Sequence, residues 1–331
     1  MEQMIFRSPN ALAAALPAIF GFRPEKSLIT VTVANNQLGA TMRVDLDENI
    51  AESLDQIASL TARQGSDFVI LFVIDDSGTD HRILVSAAEL AFNNCGIPVR
   101  GAVAVDAIAA GATWRCVQCA CDAEGVLDDP AASPASMATV LAGRTIFASR
   151  ADLNDLIAPD PARAAAMEPL LAACTRGDHD GWTRRSAEAL LAAVEDIEAG
   201  TDLDDARLAA VAAPLVDLRV RDMMFATSLS EQALAVEQLW VVMARALPQP
   251  YRAEALVLLA NSAYSRGDGT LAGIALEAIL QDNPNHRLAR LLDRALQNGA
   301  PPSLLHEVAE LGYQLAADAG VALPTRRVQT T

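Results

Sequence analysis

The sequence lacks an excess of positive charge, long apolar runs and a secretory signal. It has 25 Lys and Arg residues against 42 Asp and Glu residues, which gives a formal net charge of −17. Such an acidic chain repels phosphate backbones and anionic lipid surfaces, so we expect no nucleic-acid partner and no membrane partner. No uninterrupted apolar window reaches the length of about 18 residues that predicts a membrane span. The N-terminal segment has no basic region followed by a cleavage site, and we therefore expect a cytoplasmic protein.

The sequence also lacks the common signatures of nucleotide binding and of ester hydrolysis. No G-x-G-x-x-G follows a predicted strand, and there is neither a G-x-x-x-x-G-K-[ST] phosphate loop nor a G-x-S-x-G nucleophile elbow. Aromatic residues make up only 4% of the chain, whereas apolar residues make up 52%. This composition predicts packed cores built mainly from Ala, Leu and Val. Because no cofactor motif is present, we expect no cofactor.

The first half of the chain alternates between strand-like and helix-like patterns. Residues 27–33 are rich in β-branched side chains, and two asparagines then supply a turn to a hairpin partner at 38–44. Residues 68–74 are apolar on both faces, which is typical of a central strand. The other predicted elements are helices at 48–64 and 81–94 and strands at 99–105 and 113–119. This order predicts a three-layer α/β domain with a mixed sheet over residues 1–158.

The second half of the chain reads as successive Ala-rich amphipathic helices, which predicts an all-α domain over residues 159–331. Residues 254–284 resemble a tetratricopeptide-like helix-turn-helix, with Tyr264 on the first helix and a turn at Gly267-Asp268-Gly269. A single hairpin in a helical bundle is the alternative. In both cases we expect an antiparallel helix pair that packs on the helix before it and on the helix after it.

Several short segments together resemble one known family. They are LPAIFGFRPEKSL at residues 16–28, the Arg221-Asp222 pair, YSRGDG at 264–269, and GAPP at 299–302. On these residues the chain resembles an actinobacterial family catalogued as domain of unknown function 4192. The resemblance covers nearly the whole chain and supports the two-part architecture. It implies no activity, because the family has no established one.

Three cysteines form the most conspicuous cluster of potential metal ligands. Cys116, Cys119 and Cys121 lie within six residues, and three thiolates can hold a soft ion such as Zn²⁺ with a fourth ligand from elsewhere, for example His179. Free cysteine is also a common small core residue. We expect these thiols to be reduced and free of metal, with at least one of them buried.

Carboxylates at predicted strand ends form a second group of candidates. Asp45, Asp75, Asp76 and Asp106 each follow a predicted strand, and several carboxylates at one sheet edge can hold Mg²⁺. Aspartate is equally favoured there as a turn or cap residue. If the first two strands form a hairpin, Asp45 can lie at the opposite edge. In the loop before the first strand, Arg23 and Lys26 are candidate ligands for an anion.

Two functional hypotheses follow from these observations. The first is a non-catalytic binding or adaptor protein whose acidic helical domain takes a protein partner. The alternative is a Mg²⁺-dependent enzyme that processes phosphoesters with the carboxylates at the strand ends.

Overall fold

A computed structural model describes residues 8–174 and 181–327 of the chain. The chain divides into two compact units, Met1–Asp152 and Leu153–Thr331. This division comes shortly before the boundary that the two prolines at 159 and 161 predict. Within the described ranges, no helix is long and apolar enough to cross a membrane.

The N-terminal unit contains a six-stranded mixed sheet with helices, as the sequence pattern predicts. Its strands are β1 Ser27–Ala34, β2 Gln37–Asp45, β3 Phe68–Ile74, β4 Val99–Val105, β5 Thr113–Cys116 and β6 Glu124–Val126. Its helices are α1 Pro9–Phe20, α2 Ile50–Arg63, α3 Arg82–Asn94 and α4 Pro134–Leu141, and α5 Arg150–Asp155 runs across the division between the two units. The short strand β6 is not among the predicted elements.

The strand order β2-β1-β3-β4-β5-β6 decides which residues meet at each edge of the sheet. β1 runs antiparallel to both β2 and β3, while β3 and β4 are parallel. β2 therefore runs in the same direction as β3, although β1 and β2 form the predicted hairpin. In this register Ser27 pairs with both Asp45 and Ile74, and Ile74 pairs with Val105. The ends of β2, β3 and β4 thus lie together, beside the start of β1.

The core of this unit lies between the sheet and the pair α2 and α3. Val69, Leu71 and Val73 on β3 pack in one cluster with Ile57 of α2 and Phe92 of α3. The alternate side chains of β1 and β3 are also buried, among them Ile29, Val31, Phe72 and Ile74. Both faces of the central strands are therefore covered, as the continuous apolar run of β3 predicts.

The apolar segment before the first strand is a helix that continues through Pro17. Pro17 supplies no backbone N–H donor, and the helix nevertheless continues to Phe20. Ser8 begins the helix, because its side chain accepts a hydrogen bond from the Ala11 N–H at 3.2 Å. Gly21 ends it in the left-handed conformation and donates its N–H to the carbonyl oxygen of Pro17 at 2.9 Å.

The C-terminal unit is all-helical over its described residues, as predicted. Its helices are α6 Pro161–Ala173, α7 Trp182–Glu198, α8 Asp205–Ala212, α9 Leu218–Met224, α10 Ala233–Ala246, α11 Tyr251–Ser265, α12 Gly269–Asp282, α13 Arg287–Gln297 and α14 Ser303–Asp318. Short 3₁₀ segments lie at Ala213–Val216 and Phe225–Leu229.

The predicted helix pair is present as α11 and α12. Gly267 makes the turn in the left-handed conformation, and the side chain of Asp268 accepts the Leu271 N–H at 2.9 Å to begin α12. The facing side chains that the spacing predicts are buried: Leu256, Leu259, Ala260, Tyr264, Ala272, Ala275, Leu276 and Ile279. α10 packs on α11 and α13 packs on α12, which confirms the predicted neighbours.

Candidate functional site

A pocket opens at the sheet edge where β2, β3 and β4 end. Its volume is about 410 Å³, and it lies among three segments that leave or enter the sheet there. These segments are the loop before β1, the loop between β2 and α2, and the loop between β3 and α3. The lining residues are Lys26, Leu46, Asp47, Ile50, Asp75, Ser77, Thr79, His81 and Leu84. The carboxyl ends of strands are the usual place for ligands in open α/β sheets.

Asp75 and His81 form a hydrogen-bonded pair in this pocket. The His81 Nε2 lies 2.9 Å from the Asp75 Oδ2, and the His81 residue is only 7% exposed. Ser77 donates its backbone N–H to Asp75 Oδ1 at 3.3 Å and its hydroxyl to Asp75 Oδ2. Partial burial raises the pKa of Asp75, but the hydrogen bonds from Ser77 and the interaction with His81 outweigh it and hold that pKa below its ordinary value of 3.8.

The ionised Asp75 also sets the tautomer of His81. An ionised carboxylate only accepts hydrogen bonds, so the imidazole must donate from Nε2. Asp75 thereby holds the ring in one orientation, in the way that carboxylates orient catalytic and ligand-binding histidines. Beside it, the hydroxyl oxygens of Ser77 and Thr79 lie 2.7 Å apart and share a hydrogen bond.

Lys26 is the cationic residue of the lining and has an unusual backbone conformation. Its φ angle is 41°, in the left-handed region that side-chain-bearing residues rarely adopt. Its carbonyl oxygen accepts the Leu46 N–H at 2.9 Å, which joins the loop before β1 to the end of β2. Strained backbone of this kind concentrates at binding and catalytic sites. Arg23, the other predicted anion ligand, does not line the pocket; its N–H bonds the Phe147 carbonyl at 3.2 Å.

The four predicted carboxylates reach the same edge of the sheet but do not form one cluster. Only Asp75 lines the pocket, and Asp76 is exposed beside it. Asp45 pairs with Arg43, while Asp106 accepts the Thr113 hydroxyl and lies 3.6 Å from Arg115. Among the described residues, the only group of three or more potential metal-ligand side chains is the cysteine cluster. The structure therefore does not bring these aspartates together as a Mg²⁺ site.

Sequence reasoning missed most of the residues that complete the pocket. They are Asp47, Ser77, Thr79 and His81. Ser77, Thr79 and His81 belong to the segment DDSGTDH, which has the composition of an ordinary turn, and the contact between residues 75 and 81 depends on how that turn folds back. The available signal is a polar or histidine side chain at every second position after Asp75, in a segment directly after a buried strand.

The three cysteines meet in the loop between β5 and β6. Their sulfur atoms all lie within 4.8 Å of one another, and the Sγ atoms of Cys116 and Cys119 are 3.5 Å apart. The predicted burial is wrong: Cys116 is partly buried, and Cys119 and Cys121 are exposed. β5 ends at Cys116, and Val117 takes the core position instead. His179, named above as a possible fourth ligand, lies outside the described residues.

The chain can now be compared with known proteins. The model of the family described as domain of unknown function (DUF4192) matches residues 9–303. The chain belongs to this DUF4192 family. No curated protein and no solved structure matches it.

The DUF4192 match covers both sites described above. The pocket residues from Lys26 to Leu84 and the cysteine cluster lie within it, as do helices α1 to α13. The last helix, α14, begins at Ser303, where the match ends.

Proposed function

We propose that the protein is a binding protein whose α/β unit takes a small polar ligand with an anionic group in the pocket at the sheet edge. The observation that carries this proposal is one pocket lined by both the oriented Asp75–His81 pair and the cationic residue Lys26. A concave site with a few convergent polar groups is typical of small-molecule recognition. We place the protein in the cytoplasm, a proposal that its five free cysteines support.

The polar groups of the pocket define the chemistry of the ligand. Lys26 favours a carboxylate or a phosphate group, and His81, whose Nε2–H bonds Asp75, offers Nδ1 as an acceptor for a hydroxyl or amine of the ligand. Asp47 uses Oδ1 to accept the Asn49 N–H at 2.9 Å, which leaves its other carboxylate oxygen for a hydroxyl or amine of the ligand. Leu46, Ile50 and Leu84 add apolar lining for a short carbon skeleton. A small hydroxy acid, amino acid or sugar phosphate satisfies all of these groups.

A ligand screen with matched variants tests the proposal. Wild-type protein is screened by thermal shift against small carboxylates and organic phosphates, and the affinity for each hit is measured by calorimetry. Lys26→Ala and His81→Ala should each weaken binding about tenfold or more, about 1.4 kcal/mol. Arg23→Ala is the matched control, because it removes a cation from the same loop outside the pocket. Equal losses in all three variants, or no hit at all, would contradict the proposal.

An adaptor role for the helical unit is the second proposal, and an apolar stripe on α14 favours it. Leu304, Leu311 and Leu315 are spaced by seven and four residues, which places them along one side of the helix, and Leu311 is 58% exposed. Exposed apolar stripes of this kind mark protein contacts. Affinity capture with wild type, Leu311→Lys and the exposed control Gln314→Lys should recover a specific partner with the first and third proteins only.

The Mg²⁺-dependent enzyme receives less support from the geometry. Asp45 and Asp106 would have to leave Arg43 and Arg115 before they could join Asp75 at an ion. A protein that binds Mg²⁺ at this edge should lose that binding in Asp75→Asn, as measured by calorimetry with MgCl₂.

A further inference from the structure

The loop between β5 and β6 lies away from the pocket and presents three thiols at one point. β5 runs antiparallel to β4, so its last residue, Cys116, lies opposite Val103 and away from the strand ends that surround the pocket. The side chain of Gln118 in this loop bonds the carbonyl oxygen of Val99, at the start of β4, at 2.8 Å. The cysteine cluster and the pocket therefore lie toward opposite edges of the sheet.

Contrary to the expectation from the sequence that these thiols are free of metal, we propose that Cys116, Cys119 and Cys121 bind one soft divalent cation, such as Zn²⁺, through three thiolate sulfurs. The fourth coordination position faces solvent and takes a water molecule or an external ligand. As three sulfur–metal bonds form, the three thiol protons pass to the buffer, and no oxidation is involved. Three thiolates favour Zn²⁺ or Cd²⁺ over the hard ions Mg²⁺ and Ca²⁺.

The distances among the sulfur atoms fit one tetrahedral ion. Two sulfurs bound to the same Zn²⁺ at about 2.3 Å lie about 3.8 Å apart. The sulfurs of Cys116 and Cys119 are 3.5 Å apart, and the set of three spans no more than 4.8 Å. Small rotations of side chains at the surface therefore bring all three into one coordination sphere.

The backbone of the loop is held in place on both sides of the thiols. The Cys116 N–H donates to the Ala123 carbonyl at 2.7 Å and closes the loop at its base. Val117 is buried in the core, and its N–H donates to the Ala102 carbonyl at 3.0 Å. The Gln118 side chain also bonds Glu89 at 2.9 Å. The protein thus holds the first ligand of the set without a bound ion.

Exposure of the cluster allows an ion to enter. Cys119 and Cys121 are exposed, and Asp122 turns the chain in the left-handed conformation at φ 49° directly after them. This turn returns the chain to β6 while the two sulfurs stay on the loop surface. The arrangement resembles a metal site with one open position more than a closed structural site.

Metal loading of the full chain tests the proposal. Protein purified without an affinity tag that binds metal, and kept reduced with a phosphine, is incubated with Zn²⁺ and dialysed against metal-free buffer. Elemental analysis should then find one Zn²⁺ per chain. Substitution by Co²⁺ should add a sulfur-to-cobalt charge-transfer band in the near ultraviolet together with visible bands of tetrahedral Co²⁺.

The chain supplies its own control, because Cys95 and Cys174 lie outside the cluster. The double variant Cys95→Ser/Cys174→Ser should keep the ion and the cobalt bands, whereas Cys119→Ser and Cys121→Ser should lose both. Thermal midpoints measured without metal should be the same for wild type and the two exposed-site variants, which shows that they fold. Retention of Zn²⁺ by the exposed-site variants would overturn the proposal. Failure of wild type to retain Zn²⁺, or a Cys116–Cys119 disulfide under reductant, would also overturn it.

Discussion

The two units of the protein differ in where their buried titratable side chains lie. In the described part of the α/β unit, His81 is the only buried residue among the histidines and charged residues, and it lines the pocket. The helical unit buries Asp217, Arg221 and Arg252 among its helices. The same kind of side chain thus opens on a cavity in one unit and lies inside the packing of the other.

The partners of the buried arginines show what they do. Arg221 bonds Asp222 at 2.6 Å and Glu254 at 2.9 Å, and joins α9 to α11. Arg252 bonds the carbonyl oxygens of Ala244 and Ile157 at 2.9 Å and 3.2 Å. The two arginines are therefore bonded to groups within the protein, whereas Asp75 and His81 line a pocket. A buried polar pair that lines a pocket is therefore a candidate for ligand binding, whereas buried arginines with partners inside the protein have a structural role.

Removal of Glu254 should give the largest loss of stability. Burial raises the pKa of Glu254, but the nearby His286, whose Nε2 lies 3.6 Å from Oε1, and the hydrogen bond from Arg221 outweigh burial and lower it, so the group is ionised. Glu254→Ala leaves Arg221 with Asp222 alone and should lower the free energy of unfolding by about 3 kcal/mol. Urea denaturation measures this loss. The exposed pair of Arg184 and Glu188 is the control, since Glu188→Ala should cost less than about 0.5 kcal/mol. Equal losses of stability in Glu254→Ala and Glu188→Ala would show that the buried carboxylate contributes no more than the exposed one.

Overpacking at Ala272 should have the next largest effect. Ala272 lies on α12 and is fully buried. Ala272→Trp should force α11 and α12 apart at a cost of about 1–3 kcal/mol. Thermal denaturation should give a lower midpoint for Ala272→Trp than for the control Ala278→Trp, which lies at a partly exposed position on the same helix. An unchanged midpoint would show that the two helices do not pack as described.

Asp75→Asn tests how much the hydrogen-bonded carboxylate of the pocket contributes to stability. Asparagine loses the charge-assisted bonds to Ser77 and His81, which should cost about 1–2 kcal/mol at neutral pH. Because the folded-state pKa of Asp75 lies below 3.8, its contribution is present above that value and is lost as the pH falls through the folded-state pKa. The difference in unfolding free energy between wild type and variant should therefore shrink in acid. Asp76→Asn, at the exposed neighbour, is the control and should change the free energy of unfolding by less than about 0.5 kcal/mol.

Lys26→Asn should give the smallest change in stability and a clear change in function. Asparagine tolerates the left-handed conformation, as Asn35 and Asn36 do in the turn after β1, so stability should stay within about 1 kcal/mol of wild type. The affinity for an anionic ligand should still fall about tenfold. A large loss of stability would show that Lys26 has a structural role like that of the buried arginines.

Most of the sheet could be predicted, because its central strands are continuous apolar runs. β3 begins and ends at the predicted residues, and β4 does as well. The direction of β2 could not be derived, since it depends on β1 pairing with β3 on its other side. That pairing joins segments distant in the sequence, and it decides that Asp45 lies at the same edge as Asp75.

The candidate sites were predictable only as residue types. The cysteine spacing identified the three thiols, but their meeting depends on β5 ending at Cys116 rather than continuing to residue 119. The hydrogen-bond partner of Asp75 could not be identified from the sequence, because the conformation of the turn between Asp75 and His81 decides which side chain contacts the carboxylate. In the helical unit, the positions of Ala272 and Tyr264 followed from helical spacing, which is a local property.

The strand order also leaves the sheet with two edge strands of unequal length. β6 forms one edge with three residues, and β2 forms the other with nine. A long edge strand is a template on which another chain can add by backbone hydrogen bonds, which is a route to aggregation. The register shift between Val31 and Val33 and the alternating Arg43 and Asp45 make this edge irregular and charged. These two features hinder the pairing of β2 with the same strand of a neighbouring copy.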